Sequence, residues 1–414
     1  MGLCTSCGTC VAMCPNHALS MGEDNRTGTL AVSVDSHSCD GCGRCLNVCP
    51  GLRVPFGSLA ETPDGGTPAQ LPLGPIKSAW RGHALDPSVR GMSSSGGAVT
   101  ALALHAIRTG QADGVTVTRM QAGSPVRPVS SVARSQEDIV AAAGSKYCPV
   151  PACLTLEEAV RTDGRYVFVG LPCHIHGLRM AQSVDPRLRE RIVLCISLVC
   201  HHTPSYRALD FALRSVGVRR EDVSELVFRR GAWPGSLHVS LRDGGHRVIP
   251  YTSPVYWGYA FRELFVPRRC RYCVDKMSVL SDMSVMDSWS VSRPGDAAWT
   301  AMVVCRTERA DAFLKSAVDL KAVAMEPVEP SIIAHSQDVS AHFEARLSCL
   351  RSAAVMDEPV PSYGLDGYEP GRVRSSRSIS NRLLRAMAGR EALWPILILC
   401  LRARARIGRL ARRA

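Results

Sequence analysis

Cys4-Thr-Ser-Cys7-Gly-Thr-Cys10-Val-Ala-Met-Cys14-Pro15 returns further along the chain as Cys39-Asp-Gly-Cys42-Gly-Arg-Cys45-Leu-Asn-Val-Cys49-Pro50. Three Cys at i, i+3 and i+6 wrap a loop around one centre and turn three thiolates toward it. The fourth, followed by Pro, leaves the loop. Soft thiolates select iron–sulfur clusters or zinc. Zinc motifs pair two Cys-x-x-Cys knuckles and lack the third Cys with its trailing Pro, so the repeat predicts two [4Fe–4S] clusters. The fourth Cys of such a run ligates the other cluster. One set is then Cys4, Cys7, Cys10 and Cys49; the other is Cys39, Cys42, Cys45 and Cys14.

Residues 1–56 resemble a bacterial-type two-cluster ferredoxin domain, an α+β ferredoxin-like unit. Clusters of this kind move one electron at a time, so the rest of the chain is expected to consume or supply electrons. Residues 57–79, rich in Gly, Pro, Thr and Ser, read as a linker. Residues 80–368 form a body and 369–414 an Arg-rich tail. In the body, apolar strand runs at 113–118, 166–169, 192–199 and 301–305 alternate with helical patterns at 96–108 and 173–181. That alternation predicts an α/β domain.

Of the 414 residues, 46% are hydrophobic and 21% charged, which excludes a disordered or collagen-like chain. Aromatics at 6% argue against a nucleic-acid surface of stacking platforms. The net charge of +12 is local: residues 371–414 hold twelve Arg and one acid, Glu391, or +11, leaving +1 for the other 370. The opening MGLCTSC has no basic or apolar signal region, so the 18 Cys predict metal or redox work in the cytoplasm rather than disulfides. No apolar run reaches the ~18–20 residues that span a bilayer. The run Ala392–Leu401, followed by RARARIGRLARRA, predicts an amphipathic helix on an anionic membrane surface, peripheral to its inner face. RNA, an acidic protein or a solvated tail would also suit the charge.

Four body cysteines stand out by context. Cys173 follows the run 166–169 in Gly170-Leu-Pro-Cys173-His174, and Cys200 ends the run 192–199. Cys270 and Cys273 form a Cys-x-x-Cys. Strand ends in an α/β sheet are where ligands gather. The four could bind a third cluster, or be buried free thiols.

Ser94-Ser-Gly-Gly-Ala-Val-Thr100, Gly144-Ser-Lys-Tyr147, Tyr166-Val-Phe-Val-Gly-Leu-Pro-Cys173, Leu198-Val-Cys200, Phe228-Arg-Arg-Gly-Ala-Trp-Pro-Gly235 and Cys270-Arg-Tyr-Cys-Val-Asp275 with Ser281–Trp289 carry a second resemblance. Over about residues 80–300 the body resembles the coenzyme F420 hydrogenase/dehydrogenase beta-subunit family. The resemblance implies an F420-dependent oxidoreductase holding FAD beside a [4Fe–4S] cluster, with the flavin exchanging hydride with F420. It implies a third cluster at Cys173, Cys200, Cys270 and Cys273. It assigns the amides of Ser94, Ser95, Gly96 and Gly97, with Thr100, to the FAD pyrophosphate. Lys146 would face phosphate or reduced flavin, Tyr147 would stack, Arg229 would meet the acidic tail of F420, and Asp287 would hold a ribose. Each has a plainer reading as a capped turn, a loop lysine, a packing ring, a surface ion pair or a turn cap. Asp275 and Asp282 are read as ribose or turn-capping groups alike. Two departures from the family pattern stand at Met286, where Gly is common, and His174, where Gln is common. No residue is assigned to acid–base catalysis. Other readings are a ferredoxin-dependent reductase of another substrate and an electron-transfer subunit of a larger redox complex; the redox partner and homo-oligomerisation stay open.

Overall fold

In the computed structural model, residues 2–59, 71–121, 123, 126–289, 299–365 and 379–410 are described. The two Cys loops each run into a one-turn helix, Thr9–Ala12 and Arg44–Asn47. Gly8 and Gly43 precede them at φ 88° and 71°, a left-handed conformation that only a residue without Cβ takes freely. Between the loops, strands β1 (Leu19–Asp24) and β2 (Thr29–Val34) form an antiparallel pair.

The body holds β3 (Ser78–Ala84), β4 (Gly114–Gln121), β5 (Arg127–Ala133), β6 (Tyr166–Gly170), β7 (Ile192–Leu198), β8 (Val223–Arg230), β9 (Ser236–Leu241), β10 (His246–Pro250), β11 (Met283–Asp287), β12 (Ala301–Cys305) and β13 (Val323–Pro327). Eight of these form one sheet in the order β13-β3-β12-β11-β7-β6-β4-β5. Its centre, β11-β7-β6-β4, is parallel, as the alternating pattern predicts. The flanking strands are antiparallel, so the sheet is mixed rather than doubly wound throughout. β8, β9 and β10 make a separate antiparallel sheet.

Both faces of the central strands are covered, which is why they read as continuous apolar runs. Val167, Leu194 and Ile196 join one core with the helices Ala98–Arg108 and Glu308–Asp319. Phe168 and Cys195, one residue out of phase, join another core with the helix Pro172–Val184. The Cys-dense block shares this second core through Cys7, Met13, Val48, Val54 and Phe56. Gly177 permits the close approach, since a Cβ there would collide with the Thr9 hydroxyl. Of the stretch read as a linker, 60–70 lies outside the described residues, while Leu71 is already buried in the shared core.

The tail departs from expectation. Its described part forms helices Ile379–Ala388 and Trp394–Leu410. Trp394, Leu397, Ile398 and Leu401 are buried against Phe211 and Phe265, in the core under β8 and β9. The apolar run expected to meet lipid is thus spent on the protein's own groove, although Ile396 and Leu399 stay exposed. Residues 366–378 and 411–414 of the tail lie outside the described residues. Among the described residues, no helix is long and apolar enough to cross a membrane.

Candidate functional site

None of the 18 Cys is in a disulfide. The structure gathers the twelve predicted ligands into three sets. Burial, with Cys7 and Cys49 nearby, pushes the Cys4 thiol up to about 11. Burial, then Cys7, Cys49 and Cys4, push Cys10 up to about 12. Cys49 is raised by burial and by Cys7. Cys14, Cys39, Cys42 and Cys45 line one open recess, with Cys39 and Cys42 exposed. Among the described residues, no three His, Cys, Asp or Glu side chains close tightly enough for a single metal ion.

The third set is assembled from three places in the chain. Cys173 lies in the first turn of the helix after β6, Cys200 lies two residues beyond β7, and Cys270 lies within the short turn Arg269–Tyr272, with Cys273 just past its end. Burial raises the Cys173 thiol far above its ordinary value, and Cys200, Cys7, Cys270 and Cys273 raise it further. Cys173 therefore feels Cys7 of the first set as well as the other members of its own. Thiols this crowded and desolvated resist ionising alone, and a cationic centre among them would deprotonate them. The residues fit such a group.

A second cluster of chemistry lies at the C-terminal end of β11. Asp287 accepts 2.6 Å bonds from both Ser95 Oγ and Arg229 Nη1. Arg229 also donates to the Tyr147 hydroxyl at 3.3 Å and to Pro234 O at 3.0 Å. Its guanidinium lies 4.2 Å from the Trp299 ring centroid, 5.3 Å from Tyr251 and 5.8 Å from Trp289. Its Nη2 is buried without a hydrogen-bond partner among the described residues. Ser94 does not cap a helix; its hydroxyl accepts from Ser145 at 2.8 Å. Ser93 donates to Thr100 at 3.2 Å. Gly97 heads the helix Ala98–Arg108, which has no side-chain cap, so its first amides suit an anion.

The other expected site residues have partners within the chain. Gly96 and Gly97, at φ 64° and 75°, are needed because the turn presses on β3: a Cβ on Gly96 would lie 2.7 Å from Trp299 O and 3.0 Å from His83 Cβ. Lys146 does not reach out to a phosphate. Its Nζ donates to the carbonyls of Ala142, Ala143 and Gly144, where the helix Gln136–Ala141 ends, and burial lowers its pKa to about 8. Tyr147 is packed edge-on against Trp257 and Phe228 at 4.7 and 5.7 Å rather than offered for stacking. Both Asp287 oxygens are committed, so it organises the pocket. Asp275 accepts from His176 Nε2 at 2.8 Å and from the Val279 amide, and Asp282 accepts from the Cys195 amide and Arg309, so both serve buried turns. Met286 points into the core with Met277 and Met302, so it does not crowd the pocket side of β11. His174 is buried: Nδ1 accepts from the Leu171 amide and Nε2 donates to Val150 O, which makes it a helix-capping group.

Two residues outside the expected site, Cys153 and His202, gain neighbours that sequence spacing does not reveal. The Cys153 amide donates to Cys7 O at 2.9 Å, and hydrogen bonding from Cys153, then from Thr5 and Thr9, holds the Cys7 thiol down at about 6 against its burial. Cys148 does pack into the core. His202, beside Cys200, stands 5.5 Å from Trp257, and Trp257 stands 4.7 Å from Tyr147. This row of rings runs from the segment that follows Cys200 to Tyr147, which accepts from Arg229. The one signal that could have revealed it was the concentration of Trp and Tyr at 251–259 and 289–299.

Comparison with known proteins bears on both regions. Residues 3–51 match the 4Fe-4S dicluster domain. Residues 79–157 and 163–331 match the N-terminal and C-terminal parts of the coenzyme F420 hydrogenase/dehydrogenase beta subunit. The coenzyme F420 hydrogenase subunit beta of Methanothermobacter thermautotrophicus is 28% identical over 264 residues, 62% of this chain and 86% of that protein. The coenzyme F420-dependent sulfite reductase of Methanocaldococcus jannaschii is 25% identical over 79% of this chain and 48% of its own length. A solved chain from the F420-reducing [NiFe] hydrogenase complex of Methanosarcina barkeri superposes with a TM-score of 0.55 at 21% identity, covering 70% of this chain and 98% of that one; this likeness is one of fold.

Proposed function

This chain belongs to the coenzyme F420 hydrogenase/dehydrogenase beta-subunit family, and from that premise we propose an iron–sulfur flavoprotein oxidoreductase that links cysteine-held clusters to hydride exchange with coenzyme F420. Cys4, Cys7, Cys10 and Cys49 would hold one cluster, Cys14, Cys39, Cys42 and Cys45 a second, and Cys173, Cys200, Cys270 and Cys273 a third. The uncapped amides at Gly97–Thr100, with the Ser94–Ser95 turn, would take the FAD pyrophosphate. When bound, the clusters supply single electrons and the flavin supplies two-electron hydride chemistry.

The observation that carries this reading is the docking of the dicluster module on the body near Cys173: the Cys153 amide donates to Cys7 O at 2.9 Å, and Cys7 joins Cys200, Cys270 and Cys273 among the groups that raise the Cys173 thiol. The first and third Cys sets therefore lie within electrostatic reach of each other. The exposed Cys39 and Cys42 give a partner protein access to the outer set, consistent with a subunit of a larger complex. On the far side, the aromatic wall around Arg229 and its unpaired Nη2 suit a planar, anionic ligand.

Anaerobic reconstitution tests the reading. About twelve iron atoms per chain are expected for three four-iron clusters, together with a heat-released flavin that chromatographs as FAD and bleaching of F420 by the reduced chain. About eight irons would remove the third set. Full cofactor content without F420 bleaching would move the function to a ferredoxin-linked reductase of another substrate.

A further inference from the structure

The contact between the module and the body is held by a buried cation. Arg269 adjoins Cys270 and is 2% exposed. Its Nε donates to Gly51 O at 3.2 Å and its Nη2 to Pro50 O at 2.8 Å. Its Nη1 donates to the Tyr363 hydroxyl at 2.8 Å, which in turn donates to Tyr272 O at 2.6 Å. Cys49, Pro50 and Gly51 are thus clamped to the turn that carries Cys270 and Cys273. The contacts span more than two hundred residues of sequence and use the planar fork that Lys does not have.

Buried charges are stable only when paired. The groups that offset the burial of this guanidinium are Tyr363 and then the thiols of Cys273, Cys270 and Cys173. Cys49 feels the same positive charge from the module's side. One cation therefore lies between ligands of two different Cys sets.

We propose that Arg269 is the positioning residue of electron passage between the dicluster module and the body, fixing the separation of the Cys49 and Cys270–Cys273 segments and supplying a positive charge shared by both centres. The inference rests on the three-cluster reading above. A thiolate-held cluster becomes more negative on reduction, so a fixed cation beside it favours the reduced form. The outer set, Cys14, Cys39, Cys42 and Cys45, lines a recess of its own, with Cys39 and Cys42 surface-exposed.

The test is potentiometric titration, followed by EPR, of the full reconstituted chain as wild type, Arg269→Gln and Arg269→Lys. Iron content is measured on every sample. Arg269→Gln should make reduction of the two inner clusters at least tenfold less favourable, about 59 mV for a one-electron couple, and leave the outer cluster unmoved. Arg269→Lys keeps the charge and loses the fork, so potentials should stay near wild type while freeze-quenched transfer between module and body slows at least tenfold. Inner potentials unmoved in Arg269→Gln at full iron content would overturn the electrostatic role. If Arg269→Gln loses iron, the Lys variant decides alone: an unchanged transfer rate overturns the positioning role. A wild-type chain with about eight irons would instead overturn the three-cluster reading itself.

Discussion

Asp287→Asn should destabilise the protein by about 3–5 kcal/mol, the cost of leaving a buried charge without its partner. The Asp287 and Arg229 side chains are 11% and 2% exposed, and their contact is 2.6 Å. Asn keeps the shape and still accepts from Ser95 Oγ, so packing is preserved and the charge is what changes. Arg229 would remain ionised among three aromatic rings, with Pro234 O and a phenol as its named polar partners. Removing both charges in Arg229→Gln/Asp287→Asn should therefore cost less than the sum of the single changes, by about 2 kcal/mol or more. Denaturant unfolding followed by indole fluorescence suits the measurement, because Trp289 and Trp299 flank Arg229. No cysteine is altered, so iron content serves as the control. Flavin content of the same samples separates two roles. If Asp287 organises the pocket, the double variant regains flavin along with stability; if it binds ribose directly, flavin stays lost. A neutral Asp287→Asn, or strictly additive energies, would refute the account of this pair.

Trp394→Ala should cost about 3–5 kcal/mol of tail docking, seen as new protease sensitivity near the C-terminal helix. It should also free Leu397 and Leu401, so that binding to anionic vesicles, salt-reversible in the wild type, becomes salt-resistant. Cys153→Ala should leave iron content intact and lower the potential of the Cys7-set cluster by about 20–60 mV, a hydrogen bond of roughly 0.5–1.5 kcal/mol converted at 59 mV per tenfold; an unchanged potential would remove Cys153 from the site. Asp210 gives a pH signature. Burial pushes its carboxyl up to about 6, against the pull of Arg220 at 3.0 Å. Between about pH 4 and 6 the folded chain holds a proton that the unfolded chain releases, so this contribution to stability is lost as pH rises through 6. Asp210→Asn should flatten that slope and stabilise the protein at pH 7 by about 1–2 kcal/mol, less than full linkage gives because the side chain is partly exposed; urea midpoints across pH 4–8 would show it.

The dicluster domain was legible because most of each of its loops is local: Cys4, Cys7 and Cys10 need only three-residue spacing. β6, β7 and β12 were legible because strands covered on both faces are apolar throughout. β5, β8, β9 and β10 were not, since half-buried antiparallel strands mix polar and apolar residues over short lengths. The tail misled for a physical reason. An apolar stripe of the Trp394–Leu401 kind satisfies a lipid surface and a protein groove equally, and only the presence of Phe211 and Phe265 opposite it decides between them. The partners of Lys146 were not legible either, because its acceptors are backbone carbonyls whose positions depend on where a helix ends.

Residue type can name a ligand, but tertiary placement decides its neighbours. Spacing predicted two equivalent halves of the dicluster module, and the structure makes them unequal. The half that carries Cys7 and Cys49 faces the body because Val54 and Phe56 enter its core and Arg269 captures Pro50 and Gly51. The half that carries Cys39 and Cys42 is left at the surface. Exchanging the roles of the two sets would require moving the docking contacts, not the cysteines. The direction in which the module can connect an outside partner to the Arg229–Asp287 pocket is therefore written in the apolar and Arg contacts around the ligands, where no motif reports it.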